Sequence, residues 1–276
     1  MQVVVTGSFD DLRSRYVRFL HEASRLGDVH LLLWPDETVR ALENREPKFP
    51  LEERLYFLDA VRYVQQVTPV AGPVEPDVLP EIDGLRPDVW AVNEAHDTLG
   101  KRAVCAERSM AYRVIRDKDL VGFPETCLET GQVSENLTGL RKRVIVTGCY
   151  DWLHSGHVRF FEETSALGDL YVVVGHDENV RLLKGEGHPM FGQDERRYMV
   201  QAIRFVTQSL ISTGHGWMDA APEIARIRPD IYAVNEDGDK PEKRAFCGER
   251  GIEYVVLKRQ PKEGLPRRQS TTLRGF

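Results

Sequence analysis

The chain has 276 residues, 41% hydrophobic and 29% charged, the balance of a globular protein with one large domain or two ordinary ones. Its formal net charge is −6 with both signs mixed throughout, which argues against a nucleic-acid partner and its usual basic face. Apolar runs such as "LLLW" and "YVVVG" are too short to span a bilayer, and "VVVTG" begins too early for a signal peptide, so a cytoplasmic protein without membrane insertion is expected.

In chain order, the first element is the strand-like run "VVVTG" from Val3, which opens a series of segments that recur in the second half, although no "STT" follows in the first. "VVVTGSFDDLRSRYVRFLHEASRLGD" from Val3 aligns without a gap with "VIVTGCYDWLHSGHVRFFEETSALGD" from Val144. "DETVR" from Asp36 repeats as "DENVR" from Asp177; one inserted residue later, "RPDVWAVNE" from Arg86 repeats as "RPDIYAVNE" from Arg228. "KRAVCAER" and "KRAFCGER" place Cys105 and Cys247 at matching positions, as small buried apolar residues would be. Cys127 and Cys149 complete a set with no metal-binding spacing, so neither zinc nor a disulfide framework is expected. The sequon at Asn136 is read as chance.

Each copy alternates strand and helix. In the second, "VIVTG", "LYVVVG", "SLIST", "IYAVN" and "IEYVVL" are strand candidates. Between them "HVRFFEETSALGD" is helical with Gly168 as its C-cap, and "DERRYMVQAIRFV" and "MDAAPEIARI" follow as helices. This alternation predicts α/β architecture: two tandem Rossmann-like, doubly wound parallel sheets. The polar stretch "ETGQVSENLTGLRK" separates them, giving domains at 1–128 and 143–276 joined by a linker at 129–142.

"TGCYDWLHSGH" lies where a strand ends and a helix starts, the place where parallel sheets bind ligands. Free N–H groups and the partial positive charge of a helix N-terminus attract phosphate there. His154 and His157 bracket that end, and Gly156 between them leaves the backbone approachable. Two donors so placed would stabilise charge on oxygens around a phosphorus under attack. His176 and His188 lack this context and are expected at the surface.

The H-x-G-H spacing after "GCYD" resembles the signature of the HxGH nucleotidyltransferase superfamily, and the resemblance covers the second half. "LLKG", "FGQDERRYMVQAIRFV" and "LPRRQSTTLRG" resemble segments of its cytidylyltransferases in the expected order, especially those acting on phosphoethanolamine and glycerol 3-phosphate. The resemblance implies transfer of CMP from CTP to a phosphorylated small alcohol or polyol, with magnesium pyrophosphate leaving. It implies catalytic roles for His154, His157 and Lys184. It also implies nucleotide contacts from Gly148, Cys149, Tyr150, Asp151, Gly156, Asn235, Glu236, Arg267, Ser270, Thr271 and Thr272. Mg²⁺ would bind through the phosphates, with Asp151 orienting the loop or a metal-bound water. "RRQSTT" is shorter than the family's R-T-x-G-I/V-S-T-T and lacks its glycine, which leaves Arg267 and Arg268 as alternatives.

In the first half the histidine positions hold Arg13 and Tyr16, the glycine is Arg15, and "LLKG" is replaced by "ALENR". That copy is read as a degenerate, non-catalytic domain. By resemblance the two halves are expected to form an intramolecular pseudodimer, with homo-oligomers also open. Two further functions stand beside CMP transfer: an adenylyltransferase acting on a sugar phosphate, and an inactive nucleotide-binding regulator or scaffold.

Overall fold

The computed structural model describes residues 1–124 and 141–273, without the side chains of 271 and 272. The chain divides into two compact units, Met1–Gly122 and Phe123–Phe276, a boundary a few residues before the expected one. Of the expected linker, 129–140 lies outside the described residues.

In the first unit, strand β1 (Gln2–Gly7) leads to α1 (Ser14–Ser24), β2 (Asp28–Leu33), α2 (Asp36–Glu43), α3 (Leu51–Asp59) and β3 (Gln66–Pro69). After a long connection come β4 (Val89–Asn93), α4 (Leu99–Glu107) and β5 (Ala111–Ile115). The second unit runs β6 (Arg143–Gly148), α5 (Ser155–Ser165), β7 (Asp169–Val174), α6 (Asp177–Lys184), α7 (Gln193–Gln201) and β8 (Gln208–Ile211). It continues with α8 (Ala221–Ile227), β9 (Ile231–Asn235), α9 (Pro241–Gly248), β10 (Glu253–Leu257) and α10 (Ser270–Leu273).

The sheets are β3-β2-β1-β4-β5 and β8-β7-β6-β9-β10, each strand parallel to its neighbours, so both units have the same winding. The strand order reverses beside β1 and β6, which places a ligand crevice at the carboxyl ends of these central strands. Their β-branched runs explain the placement: Val3, Val4 and Val5, like Val144, Ile145 and Val146, are fully buried. Cys105 and Cys247 are buried as expected.

Three local expectations change. Helix α5 caps at Ala166, not Gly168. A Cβ on Gly168 would sit 2.0 Å from the Lys142 carbonyl oxygen, and Gly27 meets Met1 in the same way at 2.1 Å. Those glycines let the chain pass the start of the central strand, where Lys142 and Met1 accept N–H bonds from Asp169 and Asp28. Helix α7 stops at Gln201 rather than Val206, because the backbone tightens to i→i−3 bonds at Ile203 and Val206 and turns into β8. Finally, α8 has no helical counterpart among the described residues of the first unit, where Pro76 and Pro80 interrupt the corresponding stretch.

Candidate active site

The loop after β6 starts with a steric lock. Tyr150 has φ 51°, in the left-handed region, and its ring folds back over Gly148. A Cβ at Gly148 would lie 2.8 Å from the tyrosine Cζ, so glycine is required there by the ring. Tyr150 packs against His157 and Phe161 with ring centroids 5.3 Å away in each case. Its hydroxyl is buried without a partner, and burial pushes its pKa up.

Asp151 turns the other way. Its Oδ1 accepts the N–H groups of Met190 (2.6 Å) and Phe191 (3.2 Å), and its Oδ2 lies 3.4 Å from His188 Nδ1. Asp10, its counterpart in the first unit, accepts the N–H groups of Lys48 and Phe49 at 2.8 and 2.9 Å. Since the bond pattern persists where the histidines are missing, this carboxylate holds a loop. Of the two roles expected for Asp151, the geometry shows loop orientation. Among the described residues no group of three His, Cys, Asp or Glu side chains could hold a metal ion.

Arg196, which the sequence reading did not single out, ties the site's frame together. Its buried guanidinium donates to the carbonyls of Phe191 (2.9 Å), Cys149 (2.6 Å) and Gly175 (2.7 Å), and to Asp177 (2.7 Å). Arg54 does the same for Phe49, Ser8, Trp34 and Asp36. The signal was present in the sequence: both arginines follow a glutamate at matching places in the repeat.

His154 is the N-cap of α5: its Nδ1 accepts the N–H of Gly156 at 3.1 Å. That bond assigns the ring proton to Nε2, which is buried without a partner. His157 stacks on His154 at 3.9 Å, and its Nδ1 is likewise buried and unpartnered. Burial, then the charges of Arg259 and Arg268, lower the His154 pKa to about 3. Burial, His154, Arg259 and Lys184 lower that of His157 well below its usual value. Both rings are therefore neutral near pH 7. The reason for Gly156 also becomes specific: a Cβ there would press on the His154 ring at 3.0 Å.

These groups open onto a cleft of about 740 Å³, open to solvent. It brings together Gly148, Cys149, Tyr150, Asp151, His154, Gly156, His157, Lys184, Asn235 and Ser270 from the expected set. Ser270 Oγ donates to the Trp152 carbonyl at 3.2 Å. Glu236 and Arg267 do not line this cleft. Glu236 lies in the short 3-10 turn after β9, while Arg267 lines an adjoining depression with Arg159, Lys258 and Arg268. The side chains of Thr271 and Thr272 lie outside the described residues. Where Arg267 was expected, Arg259 faces the cleft, ion-paired to Asp237 and bonded to the Arg268 carbonyl at 3.2 Å. Arg259 stands two residues past the carboxyl end of β10, a position that topology marks as ligand-facing. Asp237, which with Asn235 and Glu236 was a sequence candidate for contacting the base, also lines the cleft, as do Gly238 and Lys243, which the sequence did not single out.

Two histidines expected at the surface are structural. His176 caps α6, accepting the Asn179 N–H at 3.3 Å, with Nε2 2.8 Å from the Gly214 carbonyl. His188 is largely buried against Asp151.

At the same positions the first unit is self-neutralised. Lys184 is replaced by Glu43, which pairs with Arg45, and Arg259 by Asp117, which pairs with Arg15. Arg13 in the His154 position binds Asp11 at 2.9 Å. Asn93 caps the turn after β4 by accepting the His96 N–H, whereas Asn235 makes no such cap and faces the cleft.

Residues 145–259 match the family described as Cytidylyltransferase-like. FAD synthase of Ferroglobus placidus is 34% identical over 125 residues, which are 44% of this chain and 78% of that protein. This chain belongs to the cytidylyltransferase-like family. FAD synthase of Aciduliprofundum boonei is 38% identical over 119 residues, 42% of this chain and 76% of the relative. Bifunctional protein HldE of Campylobacter concisus is 35% identical over 100 residues, 36% of this chain but 21% of that protein. As a cytidylyltransferase-like protein the chain is an enzyme of the nucleotidyltransferase kind, with a nucleotide as substrate. The names of these relatives do not carry the cytidylyl specificity expected from the sequence. Among the described residues no helix is long and apolar enough to cross a membrane.

Proposed function

We propose that the second unit transfers a nucleotidyl group from a nucleoside triphosphate to a phosphorylated small molecule and releases pyrophosphate. The observation that carries this reading is the pair of buried, unpartnered imidazole nitrogens at the N-terminus of α5, beside Lys184 and Arg259. The acceptor phosphate oxygen attacks the α-phosphorus, a new P–O bond forms, and the bond to the β-phosphate oxygen breaks. His154 donates its Nε2–H to an oxygen of the reacting phosphate, and His157 acts beside it. Lys184, Arg259 and the helix N-terminus hold the triphosphate. Magnesium, carried by the triphosphate, neutralises charge on the leaving pyrophosphate; the chain's own groups orient and bind.

The donor is ATP in the reading the relatives favour, since a synthase of FAD joins an adenylyl unit to a flavin phosphate, and HldE is a further relative. CTP is the second reading, favoured by the family description and the "GCYD" and "LLKG" segments. The acceptor would be a flavin or sugar phosphate with ATP, and a phosphorylated alcohol or polyol with CTP. The test is calorimetric binding of ATP and CTP with Mg²⁺, followed by pyrophosphate release with each acceptor class. Tighter binding and turnover with ATP is expected; turnover with neither would sink the enzyme reading for these substrates.

The first unit, residues 1–128, serves in this proposal as a non-catalytic internal partner of the second. All turnover of the intact chain then depends on His154 and His157. A fragment lacking residues 1–128 that was monomeric and fully active would remove the supporting role.

A further inference from the structure

Lys243 is the third residue of α9, a place where a cation opposes the helix dipole. It is also half-desolvated, and burial lowers its pKa. Its ammonium donates to one carbonyl, that of Gly238 at 3.1 Å, and lies 5.9 Å from the centre of the Tyr232 ring. Among the described residues no carboxylate comes within ion-pairing distance of it.

The first unit shows what this lysine does when it is only structural. Lys101, the matching third residue of α4, is 4% exposed and bonds Asp77 at 3.3 Å and the His96 carbonyl at 3.0 Å. Asp77 reaches it because Gly100 has no side chain; a Cβ there would lie 2.4 Å from the carboxylate. The second unit has Glu242 at that position, which closes this approach. The corresponding acid, Asp219, instead accepts the Ser212 hydroxyl at 2.6 Å. The structural ion pair is gone, and the lysine remains at the cleft beside Asn235, Asp237 and Gly238.

These neighbours mix donors and acceptors. A phosphate in that corner would face the Asp237 carboxylate and the Gly238 carbonyl, whereas a nucleobase edge offers both donors and acceptors to match them. Of the groups proposed to bind phosphate, His154, His157 and Lys184 belong to the β6 and β7 side. Arg259, past β10, is already ion-paired to Asp237 and so offsets the charge of this corner's carboxylate without removing its acceptor oxygens. We propose that Lys243 is a specificity-determining residue that donates from its ammonium to an acceptor atom on the edge of the bound nucleobase. This rests on the nucleotidyltransferase reading and adds to it the residue that reads the base.

The test is calorimetry on the intact chain with Mg²⁺ and, separately, ATP, CTP and inorganic tripolyphosphate, using wild type and Lys243→Met. The wild type should prefer one nucleotide, and Lys243→Met should cut that preference by about tenfold or more, the size of one lost charged hydrogen bond. Tripolyphosphate affinity should stay within about twofold. Lys243→Arg, with its charge kept, should restore part of the preference; Lys243→Gln serves if the methionine variant fails to fold. Equal weakening of all three ligands would make Lys243 a phosphate contact and overturn the proposal. So would an unchanged ratio, or a wild type without preference. A wild type that binds neither nucleotide would bring down the nucleotidyltransferase reading itself, an outcome distinct from an unchanged variant.

Discussion

The carboxyl ends of the two sheets share a frame and differ in chemistry. In both units a buried arginine, Arg54 or Arg196, gathers three loop carbonyls and an aspartate, and a buried aspartate, Asp10 or Asp151, pins the next loop. On that common frame the second unit leaves polar groups unsatisfied and cations facing a cleft, while the first has each reversed charge met by a partner. An unpaired buried donor costs free energy that a ligand can return. What sets the second unit apart is that His154 Nε2 and His157 Nδ1 lack partners at a helix N-terminus lining the cleft.

The largest effect should come from the histidines. His154→Ala or His157→Ala is expected to lower turnover by about a hundredfold or more, the loss of one donor to a developing oxyanion. Residual turnover near wild type would mean that the first unit, or another part of the second, carries the reaction. The shared frame predicts matching losses of stability instead. Arg196→Met and Arg54→Met should each cost about 3 kcal/mol, because carbonyls and an aspartate lose a buried charged partner. Denaturant unfolding measures both, and a much smaller loss for Arg54→Met would break the parallel.

Asp151→Asn and Asp10→Asn should each cost about 1–2 kcal/mol through weakened N–H bonds. Only Asp151→Asn should also reduce turnover, through the loop bearing Met190 and Phe191. An altered Mg²⁺ dependence in Asp151→Asn would instead point to direct contact with the metal.

A separate effect is in pH. With a folded pKa of about 3 against about 6.5 unfolded, His154 is neutral in both states at pH 7, and only the unfolded chain gains a proton as pH falls below about 6.5. Stability should therefore drop with acidification down to about pH 3. Melting curves of His154→Asn should show a shallower acid loss than wild type. His21 in the first unit, lowered to about 4 by burial and then by Arg25, keeps part of that slope in the variant.

Much of this was legible in the sequence. The repeat and the β-branched runs predicted two parallel sheets, because buried parallel strands need uninterrupted apolar residues and both copies keep them. The "HSGH" turn was legible because its chemistry is local: cap, glycine and donors fall within four residues. Arg259, Lys243 and Arg196 were harder, since each reaches the site from the end of a different strand or helix and their meeting is decided by tertiary winding. Gly168 was misread for a similar reason. Its need for no side chain comes from the carbonyl of Lys142, a neighbour in space, and not from the end of its own helix. His176 and His188 looked incidental because their partners, Gly214 and Asp151, are more than thirty residues away.

The paired charges of the first unit also act as a ratchet. Changing Glu43 to lysine alone would put a cation beside Arg45, and changing Asp117 to arginine alone would put one beside Arg15. Each single change toward the charges of the second unit thus places like charges side by side with no ligand to relieve them. Matching the second unit's cleft would need several changes at once, histidines and glycine included.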